Sequence, residues 1–161
     1  MQDPKVLAGV YQRNQWMIGE QTRGLTHADS LLQPTMRGNC LNFVLGHLLA
    51  SRELVMDLLS MERLTTEEQF KRYAFGADPL LEDGPGVIPL DDLLAMLQKS
   101  ADLLSEKISA LTPEELAKEV MLGSSSGPLG ERVEFFSWHD TYHVGQTEYL
   151  RQLSGVDDKV I

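Results

Sequence analysis

Apolar positions recur at helical intervals through almost the whole chain. The strongest run is Leu90, Leu93, Leu94, Leu97, Ala101, Leu104, Ile108 and Leu111, which predicts a helix from about Pro89 to Leu111. Asp91 and Asp92 fall in its first turn, where carboxylates suit the positive end of the helix dipole, and the ring of Pro113 forbids its continuation. Near the start, Asp3 offers a cap, Pro4 occupies the first helical position, and Leu7, Tyr11, Asn14 and Ile18 then recur, so a first helix of about Pro4 to Gln21 follows. Asn39 is placed to cap a second helix reaching about Leu59, with Cys40, Val44, His47, Ser51, Leu54 and Leu58 on one stripe and Leu41, Leu45, Leu48 and Val55 beside it. A last helix is expected from near Glu131, after the loop Gly123 to Gly130, to Leu153, with Gly155 as its stop.

Between the second and third of these four long helices, Thr65 with Glu68 reads as a capping box for a short helix ending near Gly76, followed by the turn-rich Glu82-Asp83-Gly84-Pro85-Gly86. A long crossover is therefore expected there. Thr112, Pro113, Glu114 and Glu115 read as the start of another short helix. No repeat or composition break divides the chain, and the expectation is one all-α domain over residues 1–161, a four-helix bundle.

Composition agrees with a soluble globular chain: 42% of the 161 residues are hydrophobic and 24% charged. The 14 basic against 24 acidic residues leave a net charge of −10, which disfavours nucleic acid and anionic membranes as partners. A single cysteine, Cys40, excludes an internal disulfide, and the start Met1-Gln2-Asp3-Pro4-Lys5 has no apolar segment behind it. A cytoplasmic location is the expectation.

Chemistry concentrates on the last helix. Phe136, His139, His143, Gln146, Leu150 and Leu153 follow one another at steps of three and four, so two imidazoles and an amide share a stripe whose other members are apolar. Imidazoles buried without partners are costly, and two side by side repel when protonated. A shared metal ion answers both problems, because side chains four apart can bring their nitrogens to one transition ion. His47, mid-helix on the second stripe, can meet the pair across a bundle core.

The segments Asn42-Phe43-Val44-Leu45-Gly46-His47-Leu48-Leu49, Trp138-His139-Asp140-Thr141-Tyr142-His143-Val144-Gly145-Gln146 and Tyr149-Leu150-Arg151-Gln152-Leu153-Ser154-Gly155 resemble the DinB-like (DinB/YfiT) family of metalloenzymes. In that family one histidine of the second helix and a pair four apart on the last helix of a four-helix bundle bind a divalent transition metal. The resemblance thus implies His47, His139 and His143 as metal ligands, with zinc or nickel as the ion. It also implies a small-molecule substrate, a low-molecular-weight thiol as cosubstrate, and a homodimer. The wide stripes of Leu41, Leu45 and Leu48 beside Val44, His47 and Ser51 point to a dimer as well.

Other metal readings fit less well. His139 to His143 resembles the zinc-protease H-E-x-x-H pattern with Asp140 in the base position, but only 18 residues follow His143 to hold a further ligand. A di-iron site would need two E-x-x-H segments, and Asp140-Thr141-Tyr142-His143 is a single distant analogue. Cys40 lies seven residues from His47, about 10.5 Å along a helix, and reads as a small buried hydrophobe. His27 reads as a surface residue, Asp140 as a solvated carboxylate rather than a general base, and Trp138 and Tyr142 as core or interface residues. Two functions are then open. One is an enzyme whose three-histidine ion activates a thiol or water for transfer or hydrolysis; the other is a non-catalytic, stress-associated helical protein with a structural metal.

Overall fold

A computed structural model describes residues 3–156, 158 and 160, so the ends of the expected 1–161 domain fall partly outside the described residues. The chain is predominantly α-helical with a small two-stranded sheet. Its long helices are α1 (Pro4–Thr22), α3 (Leu41–Leu58), α5 (Leu90–Ser109) and α7 (Leu129–Gln152). Short helices α2 (His27–Ser30), α4 (Glu67–Tyr73) and α6 (Pro113–Leu116) lie between them, and strands β1 (Glu119–Leu122) and β2 (Ser125–Pro128) pair antiparallel just before α7. Helices α1 and α3 each pack against both α5 and α7, while α4 leans on α3. No helix of the described residues is long and apolar enough to cross a membrane.

The caps explain where several elements begin. Asp3 accepts from the Lys5 N–H ahead of Pro4, as expected, and Thr112 and Glu115 form their capping box over Pro113. The α4 box is displaced by one residue, to Thr66 and Gln69. The cause is Glu53, a fully buried carboxylate of α3 that accepts the N–H groups of Leu64 and Thr65 and the Thr65 hydroxyl, which is thereby lost as a cap. Cys40, not Asn39, is the N-cap residue of α3, and it makes no side-chain cap bond.

The expected loop before the last helix is instead the β-hairpin. Gly123, at φ 58°, takes the first position of its two-residue turn, and Ser125 to Pro128 pair back onto β1, so α7 starts two residues earlier than Glu131. Ser125-Ser126-Gly127 carries no apolar alternation that would announce a strand.

The interior has two apolar levels. One gathers Ile18, Leu45, Leu48, Leu93, Leu97 and Val144, the other Leu7, Tyr11, Val55, Leu104, Ile108 and Val133. Between them runs a polar layer. Arg52, 1% exposed, donates from Nε and Nη2 to the two oxygens of Asp140, likewise 1% exposed, at 2.8 and 3.1 Å. Its Nη1 donates to Gln15 Oε1, the Leu97 carbonyl and Ser100 Oγ, and Asn14 donates to Asp140 Oδ2. All four long helices thus contribute to one hydrogen-bonded ion pair. The expectation of a solvated Asp140 is corrected: the carboxylate is the buried counter-charge of Arg52.

That layer also shows how α7 is oriented. Its buried seam includes Val133, Phe136, Ser137, Asp140, Val144, Thr147, Leu150 and Arg151, so Phe136 and Leu150 of the expected stripe are buried while its middle is turned about one position away from the core. His139, His143 and Gln146 are therefore half-buried beside the seam rather than in the core. Trp138 and Tyr142, expected in a core or interface, are exposed in this chain, whereas Cys40 is buried as expected. The α3 stripes taken as a sign of dimerisation are consumed inside the chain, where Leu41, Leu45 and Leu48 are fully buried against neighbouring elements. His27 is not a free surface residue: its Nδ1 accepts the N–H of Leu90 at the start of α5.

Candidate metal centre

Three of the four histidines converge. His47 from α3 and His139 and His143 from α7 each offer one ring nitrogen, and these nitrogens all lie within 4.8 Å of one another. The ring centroids are 4.5 to 5.2 Å apart, with the planes steeply inclined to one another, so the rings point inward rather than stacking. His139 Nε2 and His143 Nε2 stand 3.1 Å apart. Two nitrogens on one tetrahedral zinc at ~2.05 Å would be separated by about 3.3 Å, so the pair needs almost no adjustment.

The surroundings select the tautomers. His47 Nδ1 lies 2.8 Å from the Tyr73 carbonyl, an acceptor only, which places the proton on Nδ1 and leaves the Nε2 lone pair free. His143 Nδ1 lies 2.7 Å from Gln146 Oε1 with the same consequence. Ring nitrogens held this way donate outward and turn their lone pairs inward, the arrangement found behind metal-ligating histidines. Nδ1 of His139 is buried and has no partner among the described residues. The donor set of neutral imidazoles suits a borderline transition ion and fits the expected metal.

The carbonyl of Tyr73 is itself locked. The phenol donates to Asn42 Oδ1 and accepts the Ile88 N–H, while Asn42 Nδ2 donates to the Ile88 carbonyl. The ring lies over Gly46, where a Cβ would come within 2.2–2.4 Å of it. Glycine at 46 is what lets α4 approach α3 closely enough for the Tyr73 carbonyl to reach His47.

Electrostatics favour neutral rings. Burial, then the neighbouring His143 and His47, lowers the His139 pKa from 6.5 to about 4. Burial also lowers that of His143, opposed by the Gln146 hydrogen bond.

His47 and His143 open onto a cavity of about 780 Å³ walled by the segment 34–39, α3, the segment 74–77 and the end of α7. The centre is thus accessible from one side. Asp140, which follows His139 in sequence, turns away to Arg52 and is not available as a general base at this site. Cys40 does not join the cluster. The sequence reading found the three histidines and noted Gln146 on their stripe, but it missed Tyr73, whose backbone carbonyl carries no residue-type signal and lies 26 positions from His47.

Compared with known protein families and with curated proteins, the chain finds no match. Among solved structures, the crystal structure of a conserved protein from Enterococcus faecalis has a similar fold, with a TM-score of 0.72 at 16% identity over 95% of this chain and 97% of the other.

Proposed function

We propose that this chain is a metal-dependent enzyme of the DinB-like kind, in which His47, His139 and His143 hold one divalent transition ion, zinc or nickel, beside a cleft for a small-molecule substrate. The observation that carries the reading is the convergence of three imidazoles, two of them with Nδ1 already engaged by an acceptor. The four long helices are read with it as one four-helix bundle domain over 1–161, with residues 59–89 as the crossover; end-to-end coverage of a solved structure supports that reading.

An ion held by three neutral imidazoles keeps its +2 charge and lowers the pKa of a thiol or water that reaches it. The chain's own residues do the rest. The Tyr73 carbonyl and Gln146 orient two of the rings, and the ring of Phe43 lies nearly parallel to that of His47 with centroids 6.3 Å apart. None of the described residues lining the cleft is Asp or Glu. With no carboxylate there to take a proton, a nucleophile that ionises readily is favoured, and a thiol at ~8.5 does so far more easily than water. Thiol-dependent group transfer is therefore preferred to hydrolysis. A structural ion would call for a closed four-donor shell, and three donors meet among the described residues.

The test is metal analysis of protein reconstituted with zinc or nickel, beside the His143→Ala variant. One ion per chain, lost in the variant with its helical circular dichroism retained, supports the reading, and a wild-type chain that takes up no stoichiometric ion overturns it. Thiol-transfer turnover that survives complete chelation would move the ion to a structural role.

A further inference from the structure

The cleft beside the histidines differs in charge from the chain that forms it. The protein carries 24 acidic residues and a net charge of −10, yet among the described residues no acidic one lines the cleft, and Arg37 is the one arginine or lysine that does. Arg37 makes no ion pair among the described residues. Asn39, Gln146 and Gln152 add amides, and the remaining wall is largely apolar, with Phe43, Val44 and Leu153 among it. At its edge Phe75 is 96% and Met36 76% exposed, apolar surface left in water beside a concavity. A volume of about 780 Å³ lies in the range that receives a whole small molecule.

These features select among ligands. Apolar walls favour an apolar body at roughly 25 cal/mol per Å² of surface removed from water. A guanidinium presents a planar fork that matches a carboxylate with two parallel hydrogen bonds, and no acid among the described residues of the wall competes for it. An ammonium group finds no carboxylate among the described residues of the cleft and meets the like charge of Arg37.

We infer that the cleft takes a small molecule with an apolar body and one anionic group, the anion held by Arg37 while the body lies over Phe43, Val44, Phe75 and Leu153 and presents its other end to the histidines. As a statement about substrate, this rests on the metal-enzyme reading above; as a statement about ligand class it can be tested without any ion.

Metal-free protein in chelator is titrated by calorimetry with phenylbutyrate, its neutral amide phenylbutyramide and the cation phenylbutylamine. The acid should bind about tenfold or more tightly than the amide, and the amine should bind least. Arg37→Gln should erase the preference for the acid while leaving amide affinity within about twofold, and Phe75→Ser should weaken acid and amide alike. The inference is overturned if acid and amide bind equally to the wild type, if the preference survives Arg37→Gln, if the amine binds as tightly as the acid, or if the acid shows no saturable binding at millimolar concentration. Metal uptake measured on the same preparations separates the two readings. An Arg37-dependent preference in a chain that takes up no ion sinks the enzyme reading alone, and one ion per chain without the preference sinks the ligand class alone.

Discussion

Asp140→Asn is the sharpest perturbation of the architecture, because it removes the counter-charge of a guanidinium with nowhere else to go. Arg52 makes five side-chain hydrogen bonds, two of them to Asp140 at 2.8 and 3.1 Å, and both residues are 1% exposed. An amide of nearly the same shape turns one acceptor into an N–H₂ group facing the guanidinium. Two bonds to charged groups at about 1.5–3 kcal/mol each, or the penalty for a buried unpaired ion, lead to a similar figure of about 3–5 kcal/mol. Against a typical stability of roughly 5–15 kcal/mol this is a large share, and for a chain of this size it corresponds to a fall in Tm of roughly 6–20 °C. Urea unfolding followed by far-ultraviolet circular dichroism measures it. The paired replacement Arg52→Met with Asp140→Leu should recover most of the loss, since it removes both charges together. Metal content per folded chain should be unchanged in Asp140→Asn, because the carboxylate faces Arg52 and not the histidines. A loss below about 1 kcal/mol would mean that the carboxylate is solvated and the polar layer contributes nothing to stability.

Three further outcomes follow from the site and the surface. Gln146→Leu removes the acceptor that places the His143 proton on Nδ1, so metal affinity should fall about 10–100-fold with little change in unfolding, and Gln146→Glu should restore it; equal metal affinity in Gln146→Leu, measured by chelator competition, would count against an orienting role. His139 has its pKa lowered from 6.5 to about 4, so the unfolded chain binds the proton first: metal-free stability contributed by the neutral ring is complete above pH 6.5 and is lost as pH falls toward 4. Thermal unfolding across that window should show a decline that His139→Gln reduces, and identical slopes in the two proteins would refute it. If the homodimer expected from the sequence forms, the exposed aromatic side chains of Phe135, Trp138 and Tyr142 on α7 are where a second copy would pack, and light scattering that finds only an 18.0 kDa species at micromolar concentration would exclude it.

Local physics was legible along the chain. The spacing of Leu90, Leu93, Leu97, Leu104 and Ile108 reports one buried face of a helix whatever lies against it, and Asp3 with Pro4 or Thr112 with Glu115 satisfies N–H groups within a single turn. The histidine pair four apart belongs to the same class, because one helical turn brings the rings together. What needed the tertiary structure were facts about partners distant in sequence. Periodicity places Asp140 on a face, but whether that face meets water or Arg52, 88 positions away, depends on how α7 is rotated against α1 and α3. Thr65 offered the right side chain for a cap and lost it to Glu53, which is 12 positions away and buried. His47 acquires its tautomer from a backbone carbonyl that any residue at 73 would possess, reached only because Gly46 leaves room for the ring above it. The cleft, with Arg37 and no acid among its described lining residues, exists only once four separated segments are assembled, since the charge of a cavity is set by which side chains surround it and not by their number in the chain.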